Sequence, residues 1–321
     1  MSVFLTVLLF ILGLVLVVKG GDYFVDAASW IAEVSGIPKL IIGATVVSIA
    51  TTLPEMLVSV MAAYEKKVDM SIGNAVGSVT ANIGLIMAIS LIFMPGIIKR
   101  KDYLLKSVLM LLAASIIVLC GVFDKVTVLF SIILLIIFAV FFVENFIVAK
   151  KAVISSKSEE KEEDLTAKKT IIINIIKFVF GAAGIVIGAR LLVNEGSEIA
   201  RLLRVDERII SVTMVAVGTS LPELITTITA ISKKQSELSV GNIIGANIMD
   251  LTLIMPLSSI VAGKELPITQ MSKFVDLPAC LLVGVIALVP ALIRKKFTRL
   301  QGACLLAVYI AYLGITCFVT L

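Results

Sequence analysis

Ten stretches of about twenty mostly apolar residues follow one another along the chain, and each is long enough to cross a bilayer as a helix. They run roughly over 3–33, 38–64, 70–94, 103–121, 126–148, 170–194, 209–232, 238–261, 274–293 and 299–320. Composition agrees: 59% of residues are hydrophobic and 16% charged, whereas a soluble chain is nearer a quarter charged. The net charge of +5 does not point to nucleic acid, because the basic residues sit in short clusters between the apolar stretches. The four cysteines, Cys120, Cys280, Cys304 and Cys317, show no CxxC spacing, and the chain has no histidine. This pattern argues against a zinc site or a disulfide framework. The first stretch lacks a basic leader and a small-residue cleavage site, and reads as a retained membrane helix that turns amphipathic after Lys19. The fold class expected is all-α integral membrane.

The longest polar stretch, KKAVISSKSEEKEEDLTAKK, lies between the fifth and sixth spans. It carries no EF-hand pattern and reads as a solvated linker over 149–169, with a membrane repeat before it (1–148) and another after it (170–321). The two halves are related by an offset of 168 positions: Gly20 to Gly188, Thr45 to Thr213, Pro54 to Pro222, Glu55 to Glu223, Gly73 to Gly241 and Gly77 to Gly245. No gap is needed between residues 20 and 86. Each half holds five spans, an odd number, so the second enters the membrane in the opposite sense. Inverted repeats of this kind place a substrate site near the bilayer midplane in transporters. The excess of Lys and Arg, at Lys99–Lys101, Lys106, the linker, Lys233, Lys234 and Arg294–Lys296, puts the linker in the cytoplasm and both termini outside.

The second span contains SIATTLPE (48–55) and the seventh AVGTSLPE (216–223). In a helix Thr51 and Glu55 share a face, with Ser48 one turn earlier. Pro54 has no N–H for the carbonyl of Ala50, and Pro222 none for that of Gly218. Each motif is thus expected to offer a carboxylate, hydroxyls (Thr51, Thr219) and freed carbonyls in one turn of broken helix. Hard oxygen ligands of this kind suit Na⁺ and Ca²⁺. The third and eighth spans carry GNAVGSVTAN (73–82) and GNIIGANIMD (241–250). Asn74, Ser78 and Asn82 recur every four residues, and Asp250 stands where the first repeat has Asn82. Both stretches contain GxxxG, which lets helix backbones approach closely.

Blander readings exist for these features. A proline in a membrane helix is often a kink, and GxxxG is often packing alone. Asn74 and Asn242 fit equally well as partners for backbone groups of broken helices, and Asp22 and Asp26 as interfacial charges. For Glu55 and Glu223 the bland reading is weak. A charge at mid-bilayer costs about 2.5–3.5 kcal/mol even on the lenient insertion scale, and neither has a Lys or Arg within a turn.

The paired LPE motifs, the GNxxG segments after them and the ten-span inverted duplication resemble the Ca²⁺/cation antiporter superfamily, specifically prokaryotic Na⁺/Ca²⁺ exchangers. The resemblance covers nearly the whole chain. It implies a core of eight helices, past which the long first helices of the two repeats slide to alternate access. It also implies a central Ca²⁺ site and flanking Na⁺ sites sharing Glu55 and Glu223. Thr51, Thr219, Ser78, Ser220, Asn82 and Asp250 would complete the shell, with the carbonyls of Ser48 and Ala216. The transported ions are the only metals implied. The lipid bilayer is the remaining partner, with no nucleic acid and no protein, and the location implied is the plasma membrane of a prokaryote.

Three positions depart from the family pattern: Ala50 for glycine, Ser48 for alanine, and Ala246 for the serine symmetric to Ser78. The last removes a hydroxyl from one flanking site. An alternative is Ca²⁺/H⁺ exchange, since desolvated carboxylates can also be neutralised by protons. TSLPE favours Na⁺, because proton-coupled relatives usually carry GNxxE. K⁺-dependent relatives usually have aspartate where Glu223 stands. An enzyme reading, an intramembrane acidic protease, lacks its GxGD setting, and a simple channel leaves the duplication unexplained.

Overall fold

The computed structural model describes residues 3–156, 168–204, 218–263 and 265–318. Nearly all of them are helical. The helices are α1 (Val3–Ser35), α2 (Lys39–Tyr64), α3 (Val68–Phe93), α4 (Arg100–Val122), α5 (Val128–Ser156), α6 (Lys168–Leu202), α7 (Leu221–Ser232), α8 (Ser236–Ala262), α9 (Ser272–Arg294) and α10 (Arg299–Phe318). Among the described residues nine of these are long and apolar enough to span a bilayer, α7 being the short one. Its expected beginning at 209 lies outside the described residues. Large apolar side chains such as Phe4, Phe146 and Phe180 stand more than half exposed, as they do where lipid is the solvent.

One boundary differs from expectation in an instructive way. Helix α6 runs to Leu202 rather than 194, because Glu195, Glu198, Ala200, Arg201 and Leu202 are good helix formers, and the charged ones among them depress the hydropathy. At 35 residues it matches the 33 of α1, its counterpart in the first repeat. Four helices also carry a wide turn: Gly43–Val47 in α2, Asn82–Met87 in α3, Asp250–Ile254 in α8 and Ser272–Asp276 in α9. Such π turns occur frequently at functional sites. Two of them begin at repeat-related positions, Asn82 and Asp250.

The chain forms two compact units that cut across the sequence repeats. The first comprises Met1–Thr51 and Val143–Asn242. Here α1 and α6, equivalent helices of the two repeats, pack backbone to backbone. A Cβ on Gly20 would lie 2.8 Å from the carbonyl of Gly181, and one on Gly188 would lie 2.7 Å from that of Gly13. Gly13 and Gly181 are themselves 168 apart, so each contact maps onto the other when the repeats are exchanged. Rising numbers on α1 meet falling numbers on α6, which makes the pair antiparallel about a local two-fold. Phe24, Val25, Ala28, Ile42, Val47, Ile185 and Leu238 fill the core beside it. Phe24 also stacks on Phe178 at 4.8 Å.

The second unit comprises Thr52–Phe142 and Ile243–Leu321, and repeats the lesson with α4 and α9. At one end the strands β1 (Lys125–Val126) and β2 (Leu266–Pro267) pair antiparallel, flanked by ion pairs Lys125–Glu265 at 2.6 Å and Lys273–Asp124 at 2.7 Å. At the other, Ile98 N–H donates to Lys295 O at 3.0 Å and Phe297 N–H to Gly96 O at 2.8 Å. The end of α4 thus lies with the start of α9, and its start with the end of α9. Equivalent helices again run antiparallel, as an inverted repeat demands.

Candidate functional site

In the first unit the site residues come from the start of the α2 motif, the whole of the α7 motif and the start of α8. Thr51 is buried, and its hydroxyl donates to Asn242 Oδ1 at 3.1 Å and more weakly to the Ser48 carbonyl at 3.4 Å. Ser48 turns its own hydroxyl back to the Thr45 carbonyl at 3.2 Å. Thr219 and Ser220 form a turn, and α7 starts at Leu221 with Pro222 in its first turn. Ser220 stands at the N-cap position yet makes no capping bond. Its hydroxyl oxygen is buried with no hydrogen-bond partner among the described residues. Glu223 follows in the first turn of α7 and is fully buried. There the unsatisfied N–H groups of the helix start stabilise negative charge. Ala216 lies outside the described residues.

In the second unit Glu55, Ser78, Asn82 and Asp250 are all buried, with Glu55, Asn82 and Asp250 at 0% exposure. Three polar groups on apolar spans, all withdrawn from solvent, are what an intramembrane binding site requires. Asn74 resolves one open question. Its amide N–H group donates to the backbone carbonyl of Glu55 at 3.2 Å and to Ser59 Oγ at 2.8 Å. It therefore ties α3 to the helix that carries the glutamate. Its counterpart Asn242 uses the other end of the amide, accepting from Thr51.

One expectation fails in the first repeat. The helix is not broken at Pro54: Ser48–Tyr64 is continuous α-helix with the proline inside it. A single proline forfeits one backbone bond, and the turns on either side hold the helix together. The backbone irregularity lies a turn earlier, in the π turn Gly43–Val47. In the second repeat the motif does occupy a helix break.

The GxxxG stretches behave unequally among the described residues. A Cβ on Gly241 would collide with the Leu40 carbonyl, and one on Gly43 with the Leu238 carbonyl, so α2 and α8 touch through their backbones there. No described atom lies within 4 Å of a Cβ on Gly73 or Gly77. The segment symmetric to Leu40–Ala44, residues 208–212, lies outside the described residues.

Two residues escaped the sequence reading. Thr52, buried, is the repeat partner of Ser220, and the 168 offset alone would have found it. Asn247 accepts a hydrogen bond from Asn82 Nδ2 at 3.1 Å, and no repeat signal could have found it because its counterpart is Val79. Asn82 Oδ1 is left buried without a partner. Among the described residues no group of three acidic or cysteine side chains gathers into a metal-holding cluster.

The comparisons with known proteins agree over nearly the whole length. A family model described as sodium/calcium exchanger protein matches residues 5–146 and 173–318. The sodium/calcium exchanger MaX1 of Methanosarcina acetivorans is 30% identical, with 97% of this chain and 98% of that protein aligned. An uncharacterized membrane protein of Methanocaldococcus jannaschii is 32% identical over 94% of both chains. A solved structure of the sodium-calcium exchanger NCX_Mj, soaked with Na⁺ and Sr²⁺, superposes with a TM-score of 0.81 at 31% identity, covering 98% of this chain and 99% of that one.

Proposed function

The chain belongs to the sodium/calcium exchanger family, and on that footing we propose that it is an antiporter that moves Ca²⁺ against Na⁺ by alternating access. The observation that carries this reading is the state of the motif residues. On helices built for lipid, Glu223 is fully buried in the first unit, as are Glu55 and Asp250 in the second, and Ser220 Oγ of the first unit and Asn82 Oδ1 of the second are buried acceptors with no partner among the described residues. Buried polar atoms are ordinarily satisfied, and a cation is the partner that acceptors beside carboxylates call for.

Each residue then has a role. Glu55 and Glu223 supply the charge that a dehydrated divalent ion needs. Thr51, Thr219, Ser78, Ser220, Asn82 and the carbonyls of Ser48 and Ala216 supply neutral oxygens. Asp250 adds charge on the second repeat alone. Na⁺ can take the place of Ca²⁺ at such a set, because the carboxylates attract either cation. Access alternates as the long first helices of the two repeats, α1 and α6, slide past the core of the other eight. The protein resides in the plasma membrane of a prokaryote with both termini and Lys67 outside and the 149–169 linker inside.

The test is flux in reconstituted vesicles with Na⁺ and pH gradients imposed separately. Ca²⁺ uptake should follow an outward Na⁺ gradient at constant pH. Uptake that follows only the pH gradient would replace Na⁺ with H⁺ as the coupling ion.

A further inference from the structure

Asn82 presents an asymmetric group to whatever it binds. One end of its amide is an acceptor and the other a pair of donors, and a half-turn about the last side-chain bond exchanges them. Toward a cation the two orientations are opposites, since the carbonyl attracts it and the N–H end repels it. Something must therefore choose between them. Asn82 Nδ2 donates to Asn247 Oδ1 at 3.1 Å, which leaves Asn82 Oδ1 buried and free of other partners. Both residues are at 0% exposure, so no solvent competes for the donor.

The inverted duplication supplies an internal control. Exchanging the repeats carries Asn82 to Asp250 and Asn247 to Val79. A carboxylate offers acceptor oxygens at both ends and has no wrong way round, so the position that would attend it needs no polar group, and it holds valine. Where the ligand is an amide, the attending position holds an amide. The two differences between the repeats compensate each other.

We propose that Asn247 is a positioning residue, which binds the donor end of the Asn82 amide and so commits its carbonyl oxygen to the transported cation. The proposal rests on the reading of Asn82 as a ligand. When Asn247 is replaced, turning the Asn82 carbonyl to the ion leaves a buried N–H without an acceptor, a penalty incurred on each binding event. Asn247→Val should therefore raise the Ca²⁺ concentration that half-saturates Na⁺-driven uptake about tenfold. Asn82→Asp removes the need for orientation. In that background Asn247→Val should shift half-saturation less than about threefold, since the pair then reproduces Asp250 and Val79 and the two changes couple.

The experiment measures Ca²⁺ uptake against Ca²⁺ concentration in matched vesicles for the wild type, Asn82→Leu, Asn82→Asp, Asn247→Val and Asn82→Asp/Asn247→Val. Monodispersity and thermal unfolding in detergent verify the fold, and Asn247→Ala removes the same acceptor if valine is not accommodated. An equal shift in both backgrounds marks Asn247 as a packing residue and overturns the proposal, as does no shift in the single variant. If Asn82→Leu itself leaves half-saturation unchanged, the ligand reading of Asn82 has failed. If Asn82→Leu shifts it and Asn247→Val does not, only the positioning role has failed.

Discussion

The two LPE motifs share their last three residues and sit at equivalent places in a gapless duplication, yet they adopt different backbones. In α2 the proline lies inside a continuous helix, whereas in α7 it lies in the first turn after a break at Thr219–Ser220. Proline is compatible with both, because at a helix start its missing N–H is one that has no intrahelical partner anyway. The local motif fixes which ligands are offered, and the flanking sequence fixes how the backbone carries them. Ser220 is freed as an uncapped hydroxyl by the break, while its counterpart Thr52 remains within a helical turn. The GNxxG segments diverge as well: Ser78, Val79 and Asn82 correspond to Ala246, Asn247 and Asp250 in the duplication. One repeat has the hydroxyl, the other the charge.

The comparison breaks outright if the two glutamates, which the repeats share, are not equally needed. Glu55→Gln and Glu223→Gln each keep the shape and remove one negative charge from a site that must replace the water around a divalent ion. Each should reduce Ca²⁺ uptake at least about a hundredfold at equal expression. Wild-type-like uptake by either would confine the chemistry to one repeat.

A smaller effect is expected at the position where the repeats differ in charge. Asp250→Asn makes the second repeat match the first. It should weaken Ca²⁺ half-saturation about tenfold, less than loss of either glutamate, since both shared carboxylates remain. No change would place the Asp250 charge outside the ion shell despite its complete burial.

Much of this was legible in the residues alone. Span number, the duplication, its inversion and the buried carboxylates follow from hydropathy, spacing and the cost of charge in lipid, and these are properties that single residues carry with them. Three kinds of feature were not legible. The π turns at Asn82 and Asp250 widen a helix by one residue, and no residue type marks that change. The end of α6 depends on helix propensity beyond the apolar stretch. The partner of Asn82 depends on which side chain α8 brings against it, a matter of long-range packing to which the repeat pattern gave no clue. Thr52 is a different case. The offset that relates it to Ser220 was in plain view, and its buried position gives it the same standing as its counterpart.

The smallest expected effect sharpens the comparison most finely, because it adds one oxygen and no charge. Ser78 offers a hydroxyl in the first repeat, and at the equivalent place Ala246 offers a methyl group, fully buried in α8. Ala246→Ser restores the symmetric pair with an increase of a single atom. Neutral oxygens make up a larger share of the coordination of a monovalent ion than of a divalent one held by two carboxylates, so the added hydroxyl should act chiefly on Na⁺. The expected outcome is a two- to threefold fall (roughly) in the Na⁺ concentration that half-activates exchange, with Ca²⁺ half-saturation nearly unchanged. The measurement is Ca²⁺ flux against Na⁺ concentration for wild type and variant in matched vesicles. Equal gains for both ions would mean that the hydroxyl joins the central site rather than a flanking one. An unchanged Na⁺ dependence would mean that Ala246 does not border an ion at all. The loss of the serine would then be a packing difference between the repeats, and the asymmetry that matters for coupling would reduce to Asn82 against Asp250.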